Sequence, residues 1–165
     1  MSVTVGDHRS LDDAEIEPDS ISHILNAVYR DLELPAGDVD VSLVDDDTIA
    51  GLNRDYRGKH SPTNVLSFPH YNWIEPRLML DSIPIPNEDS PPVLWGEVFV
   101  SIETIRRESS ASGRPLIIEI VKMCIHGLLH LFGYDHDTDD QYNRMSAAEQ
   151  IGLDSAVQWM EHNFS

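Results

Sequence analysis

Three histidines carry the densest chemical signal in this chain. His126, His130 and His136 stand in the run KMCIHGLLHLFGYDH (residues 122–136), spaced as HxxxHxxGxxH. On an α-helix, residues i and i+4 project from nearly the same face with Cβ atoms about 5–6 Å apart, so His126 and His130 can reach one ion at roughly 2.0–2.1 Å. A third ligand can join them only if the helix stops sharply, and Gly133 tolerates the left-handed conformation of such a stop. His136 then arrives from the turn. Three protein ligands leave one tetrahedral position of zinc to water, which is the arrangement of a catalytic site, and a water held there ionises near neutral pH. Asp135 and Asp137 flank the third ligand, where a carboxylate could accept a ring N–H and fix the tautomer of a ligand. A single histidine on an apolar helix is usually just a packed side chain. Three of the chain's eight histidines within eleven residues, with a glycine at the helix stop, point instead to a metal.

The residue after the first histidine separates two chemistries. In zinc peptidases of the HExxH type it is a glutamate serving as general base, and here it is Gly127. The ligand frame is that of a metzincin, but the base for peptide hydrolysis is missing from its usual position. A different hydrolase is expected, with a metallopeptidase as a weaker alternative.

Two further blocks extend the pattern: YRGKHSPTNVLSFP at residues 56–69 and GEVFVSIET at residues 96–104. With HGLLHLFGYDH at residues 126–136, they resemble the YbeY family of bacterial metal-dependent endoribonucleases over roughly residues 38–152. The resemblance implies a small mixed sheet of about four strands covered by helices, with the histidine site in a cleft. It implies a single-strand-specific endoribonuclease acting in rRNA maturation, especially at the 3′ end of the 16S rRNA, and in ribosome quality control. Zinc, one ion per chain, would be held by His126, His130 and His136, although other divalent metals suit the same ligands. Arg57, from the RGK block, would be the functional basic residue that stabilises charge on the phosphate. The family usually reads Gly-Asp where this chain has Gly96 and Glu97, so a carboxylate is kept but is one methylene longer. Glu97, Asp135, a metal-bound hydroxide and the RNA's own 2′-OH all remain open as the source of base or nucleophile. The implied partners are single-stranded rRNA and the ribosome or its proteins.

The bounds on the chain are those of one ordinary globular domain. It has 165 residues, 41% of them hydrophobic and 24% charged, and a chain of this size buries about 70% of its surface on folding. The expected division is an acidic, unpatterned leader at residues 1–17 and a single metal-dependent hydrolase domain at residues 18–165. The most apolar stretch, residues 116–132, is interrupted by Glu119, Lys122 and two histidines, so it is no membrane span. The first residues lack a basic segment followed by an apolar one, so a cytoplasmic protein is expected. Cys124 is the only cysteine; it cannot form an intrachain disulfide and reads as a buried, inert thiol.

The formal charge of −18 runs against a nucleic-acid enzyme, which generally carries a basic footprint. It suits another class better: a non-catalytic ribosome-assembly factor with a structural metal, whose acidic surface meets basic ribosomal proteins. The acid is uneven, however. Asp12, Asp13, Glu15, Glu17 and Asp19 crowd the leader, whereas Arg54, Arg57, Lys59 and His60 form a local basic cluster. Arg54, Lys59 and His60 are therefore candidate RNA contacts beside Arg57, with solvated surface charges as the alternative for Arg54 and Lys59.

The remaining pattern supplies the elements that must position these groups. A helix starts at Pro18, Asp19 and Ser20, carries Ile21, Ile24, Leu25, Val28 and Leu32 on one face, and ends before Pro35 and Gly37. Residues 39–44 alternate as a strand. Asp45, Asp46 and Asp47 begin a second helix whose end delivers the RGK block, and residues 65–68 form a short strand closed by Pro69. Residues 70–94 hold five prolines and no period, so they read as a lid over the metal site or a surface insertion. Within that stretch Trp73 could stack on a base or pack under its own loop. Residues 96–102 form a strand, and Ser101 or Thr104 starts a helix that ends at Gly113. The helix of residues 115–132 is apolar on most sides and must be central. Thr138 and Gln141 have capping-box spacing for a helix ending at Gly152, with a last short helix at residues 153–162. A fourth strand could lie at Val3 or near the prolines. The sum is an α+β domain of open strand order.

Overall fold

A computed structural model of the protein describes residues 2–10, 15–79 and 89–164. The chain runs through β1 (Ser2–Asp7), α1 (Pro18–Asp31), β2 (Asp38–Val44), α2 (Asp46–Arg57), β3 (Val65–Pro69), β4 (Trp73–Glu75), β5 (Leu78–Met79), β6 (Leu94–Ser101), α3 (Ile102–Ser112), α4 (Leu116–Leu131) and α5 (Asp139–Asn163). Four strands form one mixed sheet in the order β1-β2-β6-β3. β1, β2 and β6 are parallel, and β3 joins β6 antiparallel. This is the α+β domain that the sequence pattern implies, with the small mixed sheet that the resemblance implies.

Side-chain alternation along the strands divides the helices between two faces. Val39, Val41 and Leu43 of β2 and Val98 and Val100 of β6 join the main core with the apolar residues of α1, α4 and α5. The opposite face carries Val44 and Leu66, which pack with Ile49 of α2 in a smaller cluster rimmed by Leu52, Phe68 and Phe99. α4 is apolar nearly all round because it is buried nearly all round: Ile120, Val121, Cys124, Ile125, Leu128, Leu129 and Leu131 are all at most 1% exposed. Each such side chain contributes roughly 1.5–3 kcal/mol by leaving water, which makes α4 a rigid carrier for anything on its remaining face. Cys124 is fully buried there, and burial pushes its thiol up to about 12, as expected for an inert cysteine.

Tertiary contacts decide three readings that the sequence left open or misplaced. The fourth strand is the one offered at Val3, the edge strand β1 within the acidic leader: Asn26 of α1 accepts a hydrogen bond from Val3 N at 2.9 Å and donates to Val3 O at 3.0 Å, and Asp38 Oδ1 accepts from Ser2 N at 2.9 Å. Asp12 and Asp13 lie outside the described residues. The helix after Thr138 does not stop at Gly152 but continues to Asn163. Gly152 is there because α5 crosses α4 and α1 closely; a Cβ would lie 3.0 Å from Ile125 Cγ2 and 3.3 Å from Val28 Cγ1. The proline-rich stretch contains the β4–β5 hairpin, and Trp73 packs among Trp95 and Phe132 at ring separations of 5.8 and 5.7 Å. Apolar burial has claimed it in place of a base.

Asp46 ties the second face together. Its Oδ1 accepts hydrogen bonds from Ser101 Oγ and Thr104 Oγ1, both at 2.6 Å, and its Oδ2 lies 2.9 Å from Arg107 Nη2. Ser101 is also the N-cap of α3, accepting from Thr104 N. Burial alone would raise the pKa of Asp46, but the two hydroxyls and the guanidinium outweigh it and hold the carboxyl below its ordinary 3.8. A folded value below the unfolded one means that the contribution is present above pH 3.8 and is lost as the pH falls through the lowered value. Asp46→Asn is expected to cost roughly 1–3 kcal/mol at pH 7, with the gap to the parent protein narrowing below about pH 4 when urea unfolding is followed across pH.

Candidate metal centre

Two backbone devices bring the histidines together. α4 presents His126 and His130 one turn apart, and its end is a Schellman stop: Tyr134 N donates to Leu129 O at 3.2 Å and Gly133 N to His130 O at 3.3 Å. Gly133 has φ +90, and a Cβ there would sit 2.6 Å from Trp73 Cβ and 2.8 Å from Glu75 O. Glycine is required twice, for the left-handed turn and for the passage of β4 across it. The chain then returns His136 to the helix face before Thr138 opens α5 with a full capping box to Gln141.

The three rings meet. His126 Nε2 and His130 Nε2 are 3.1 Å apart, and ring centroids of His126 and His136 and of His130 and His136 lie 5.6 and 5.2 Å apart. One ring nitrogen from each falls within 4.8 Å of the others. His130 Nδ1 is 2.9 Å from Tyr134 O; as a carbonyl can only accept, this nitrogen carries the proton and Nε2 holds the lone pair. Burial first, and then His126 and His136, hold the pKa of His130 below the usual imidazole value, against weaker upward effects of the Tyr134 carbonyl and Asp135. A neutral imidazole is the ligand form. Bonds of 2.0–2.1 Å at tetrahedral angles separate two donor nitrogens by about 3.3 Å, so the observed pair fits one small dication.

The other candidate residues are distributed unevenly around this centre. Asp135 stays beside it, with Oδ1 accepting from His136 N at 2.8 Å; Asp135, His136 and Asp137 form a second, overlapping group of possible ligands. Glu97 is not at the centre. Val98 faces α4, approaching within 2.5 Å of where a Cβ on Gly127 would stand, so strand alternation turns Glu97 to the opposite face, where its Oε2 is 3.7 Å from His70 Nε2. Arg57 ends α2 just before the left-handed Gly58; it is exposed, and its guanidinium has no partner among the described residues. Lys59 and His60 are exposed beside it, while Arg54 is turned to Asp55 at 3.2 Å. The residue missed by sequence reasoning is Glu149 of α5, whose Oε1 is 3.6 Å from His126 Nδ1. Only its place on an amphipathic helix was visible, and nothing local marks the partner across the helix pair.

Gly127 explains the absent glutamate. A Cβ at this position would lie 2.5 Å from Val98 Cγ1, 3.1 Å from Ser67 Oγ and 3.2 Å from Val65 Cγ2, and Ser67 Oγ donates to Gly127 O at 3.0 Å. This side of α4 lies directly on the sheet. A family model, Endoribonuclease YbeY, matches residues 6–156 of the chain. The chain belongs to the YbeY family. An Endoribonuclease YbeY of Paramagnetospirillum magneticum is 41% identical over 120 residues, 72% of this chain and 68% of that protein. One from Rhodopseudomonas palustris is 36% identical over 123 residues, 74% of this chain and 59% of that protein. The fold agrees with the solution structure of TM1509 from Thermotoga maritima, at TM-score 0.60 and 21% identity, covering 98% of this chain and 93% of that one. The YbeY relatives carry the name of an endoribonuclease, and the histidine centre described above lies within the matched stretch. Among the described residues, no helix is long and apolar enough to cross a membrane.

Proposed function

We propose that this YbeY family member is a zinc-dependent, single-strand-specific endoribonuclease of the cytoplasm, acting on rRNA at the 3′ end of the 16S rRNA and in ribosome quality control. The reading is supported above all by the meeting of His126 Nε2 and His130 Nε2 at 3.1 Å beside His136, in a chain of this family. Ring nitrogens of His126, His130 and His136 would hold one ion, which when bound supplies Lewis acidity toward a phosphoryl oxygen and brings the pKa of a water toward neutrality.

The chain's own residues supply the remaining steps. Arg57 binds the non-bridging oxygens of the phosphodiester and stabilises the charge that grows on them; its guanidinium stays protonated at any working pH and offers two parallel donors. Lys59 and His60 extend this contact along the strand, a local basic surface on an otherwise acidic protein. His130 keeps its proton on Nδ1 through the Tyr134 carbonyl, so the ring is held in one tautomer. Asp135, whose Oδ1 accepts from His136 N, would be the carboxylate that takes a proton from the attacking group.

The test is cleavage of a labelled single-stranded RNA by zinc-loaded protein, beside chelated protein and Arg57→Glu. Cutting should vanish on chelation and fall on the order of 100-fold or more in the arginine variant. A 2′,3′-cyclic phosphate on the product would assign attack to the RNA's 2′-OH, and a 5′-phosphate beside a 3′-hydroxyl would assign it to water. The net charge of −18 favours a second reading, a ribosome-assembly factor that docks basic ribosomal proteins. Folded, zinc-loaded protein that leaves RNA intact, together with normal ribosome assembly in cells carrying histidine variants, would transfer the assignment to it.

A further inference from the structure

The metal centre has one ring held by a backbone carbonyl and one facing a carboxylate from a different helix. His130 Nδ1 has Tyr134 O at 2.9 Å; His126 Nδ1 has Glu149 Oε1 at 3.6 Å. We propose that Glu149 is the positioning residue of the centre, accepting the Nδ1–H of His126 and so holding His126 Nε2 toward His130. The inference rests on the reading of the histidines as metal ligands and names a further residue for that site.

Four observations converge on it. First, His126 is the only ion-pairing partner of the Glu149 carboxylate among the described residues. Second, α5 places that carboxylate by packing. Met145, Ala148, Gly152 and Ala156 form the buried stripe of α5, and Glu149 stands at the edge of this stripe, one turn before Gly152. Gly152 in turn allows α5 to approach Ile125, the residue before His126, to 3.0 Å from an imagined Cβ. The register between Glu149 and His126 is therefore set by a close contact of the helix pair. Third, α5 begins at Thr138, two residues after His136, so a single rigid helix connects the third histidine to the group behind the first. Fourth, Glu149 lines a cavity of about 210 Å³ with Lys122, Ile125, Ser146, Gln150 and Leu153. Its side chain is 33% exposed, which leaves room for the torsional change that would shorten 3.6 Å to the 2.7–3.2 Å of a hydrogen bond.

A carboxylate behind a ligand imidazole selects the tautomer, aligns the lone pair and makes the nitrogen a better donor, and losing such a partner typically costs 10- to 100-fold in metal affinity. The test uses the full chain with zinc affinity read by competition against a chromophoric chelator at pH 7. Metal-free thermal unfolding and the visible spectrum of the cobalt-substituted protein are recorded alongside. Glu149→Ala should weaken zinc binding about 10- to 100-fold and alter the cobalt spectrum, while the metal-free unfolding temperature stays near that of the parent. Glu149→Gln keeps an acceptor oxygen without the charge and should fall between the two. It also serves as the deciding variant if the alanine protein is unstable. Parental zinc affinity and an unchanged cobalt spectrum in Glu149→Gln and in any folded Glu149→Ala would overturn the role of Glu149. Parental affinity in His126→Ala and His130→Ala would instead overturn the histidine centre itself, so the two failures are distinct.

Discussion

Replacing His130 with alanine is expected to abolish tight zinc binding and to lower RNA cleavage by about 1000-fold or more. The estimate follows from the Lewis acidity at stake, worth several kcal/mol in the transition state, with each tenfold in rate corresponding to about 1.4 kcal/mol. His130 is half-buried, with one nitrogen on the Tyr134 carbonyl and the other facing His126. Part of the loss could therefore come from a loosened helix stop. His136→Ala separates the effects, because His136 is exposed and contributes nothing to the core. Zinc binding and cleavage should collapse in both variants, while metal-free unfolding moves only in the first. Full cleavage by either protein, measured on the same labelled RNA, would refute the assignment.

Introducing glutamate at Gly127 is expected to unfold the protein rather than create a peptidase. Val98, Ser67 and Val65 already stand within 2.5–3.2 Å of the missing Cβ, and a charged carboxylate would be driven into the contact between α4 and the sheet. Overpacking costs about 1–3 kcal/mol, and an unpaired buried charge adds several more. A loss of roughly 4–5 kcal/mol would consume much of a typical stability of 5–15 kcal/mol and lower the unfolding temperature by about 10–20 °C. Thermal unfolding with a casein digestion on the same sample reads both outcomes. A stable Gly127→Glu protein that digests casein would contradict the packing argument and restore the peptidase alternative.

Local rules account for much of what could be read in advance. The clustering of three histidines, the Gly133 stop, the Thr138–Gln141 capping box and the Ser101 N-cap each depend on residues within a few positions of one another, where helix geometry and hydrogen-bonding reach determine the result. The strands of residues 39–44 and 96–102 were legible because one face of each is buried and the alternation survives. The misreadings have a shared origin. The strand at Val3 stayed one of two options because its backbone is satisfied by Asn26 and Asp38, far along the chain. Gly152 looked like a stop because a glycine needed for helix contact and a glycine needed for a turn are the same letter. Glu97 entered as a candidate because the resemblance puts a carboxylate after Gly96, and a position in a motif says nothing about which face of the sheet a side chain occupies.

The amino-acid sequence by itself determined the meeting of the three histidines, the core helix that carries two of them and the α+β class, because spacing along a helix and periodic burial are properties of a local segment. Only the tertiary structure decided that Glu97 faces away from the centre, that Glu149 stands behind His126, and that no glutamate can occupy position 127. Each of these depends on the packing of one element against another, and distances between elements are set by the summed shape of many side chains rather than by any residue's neighbours in the chain.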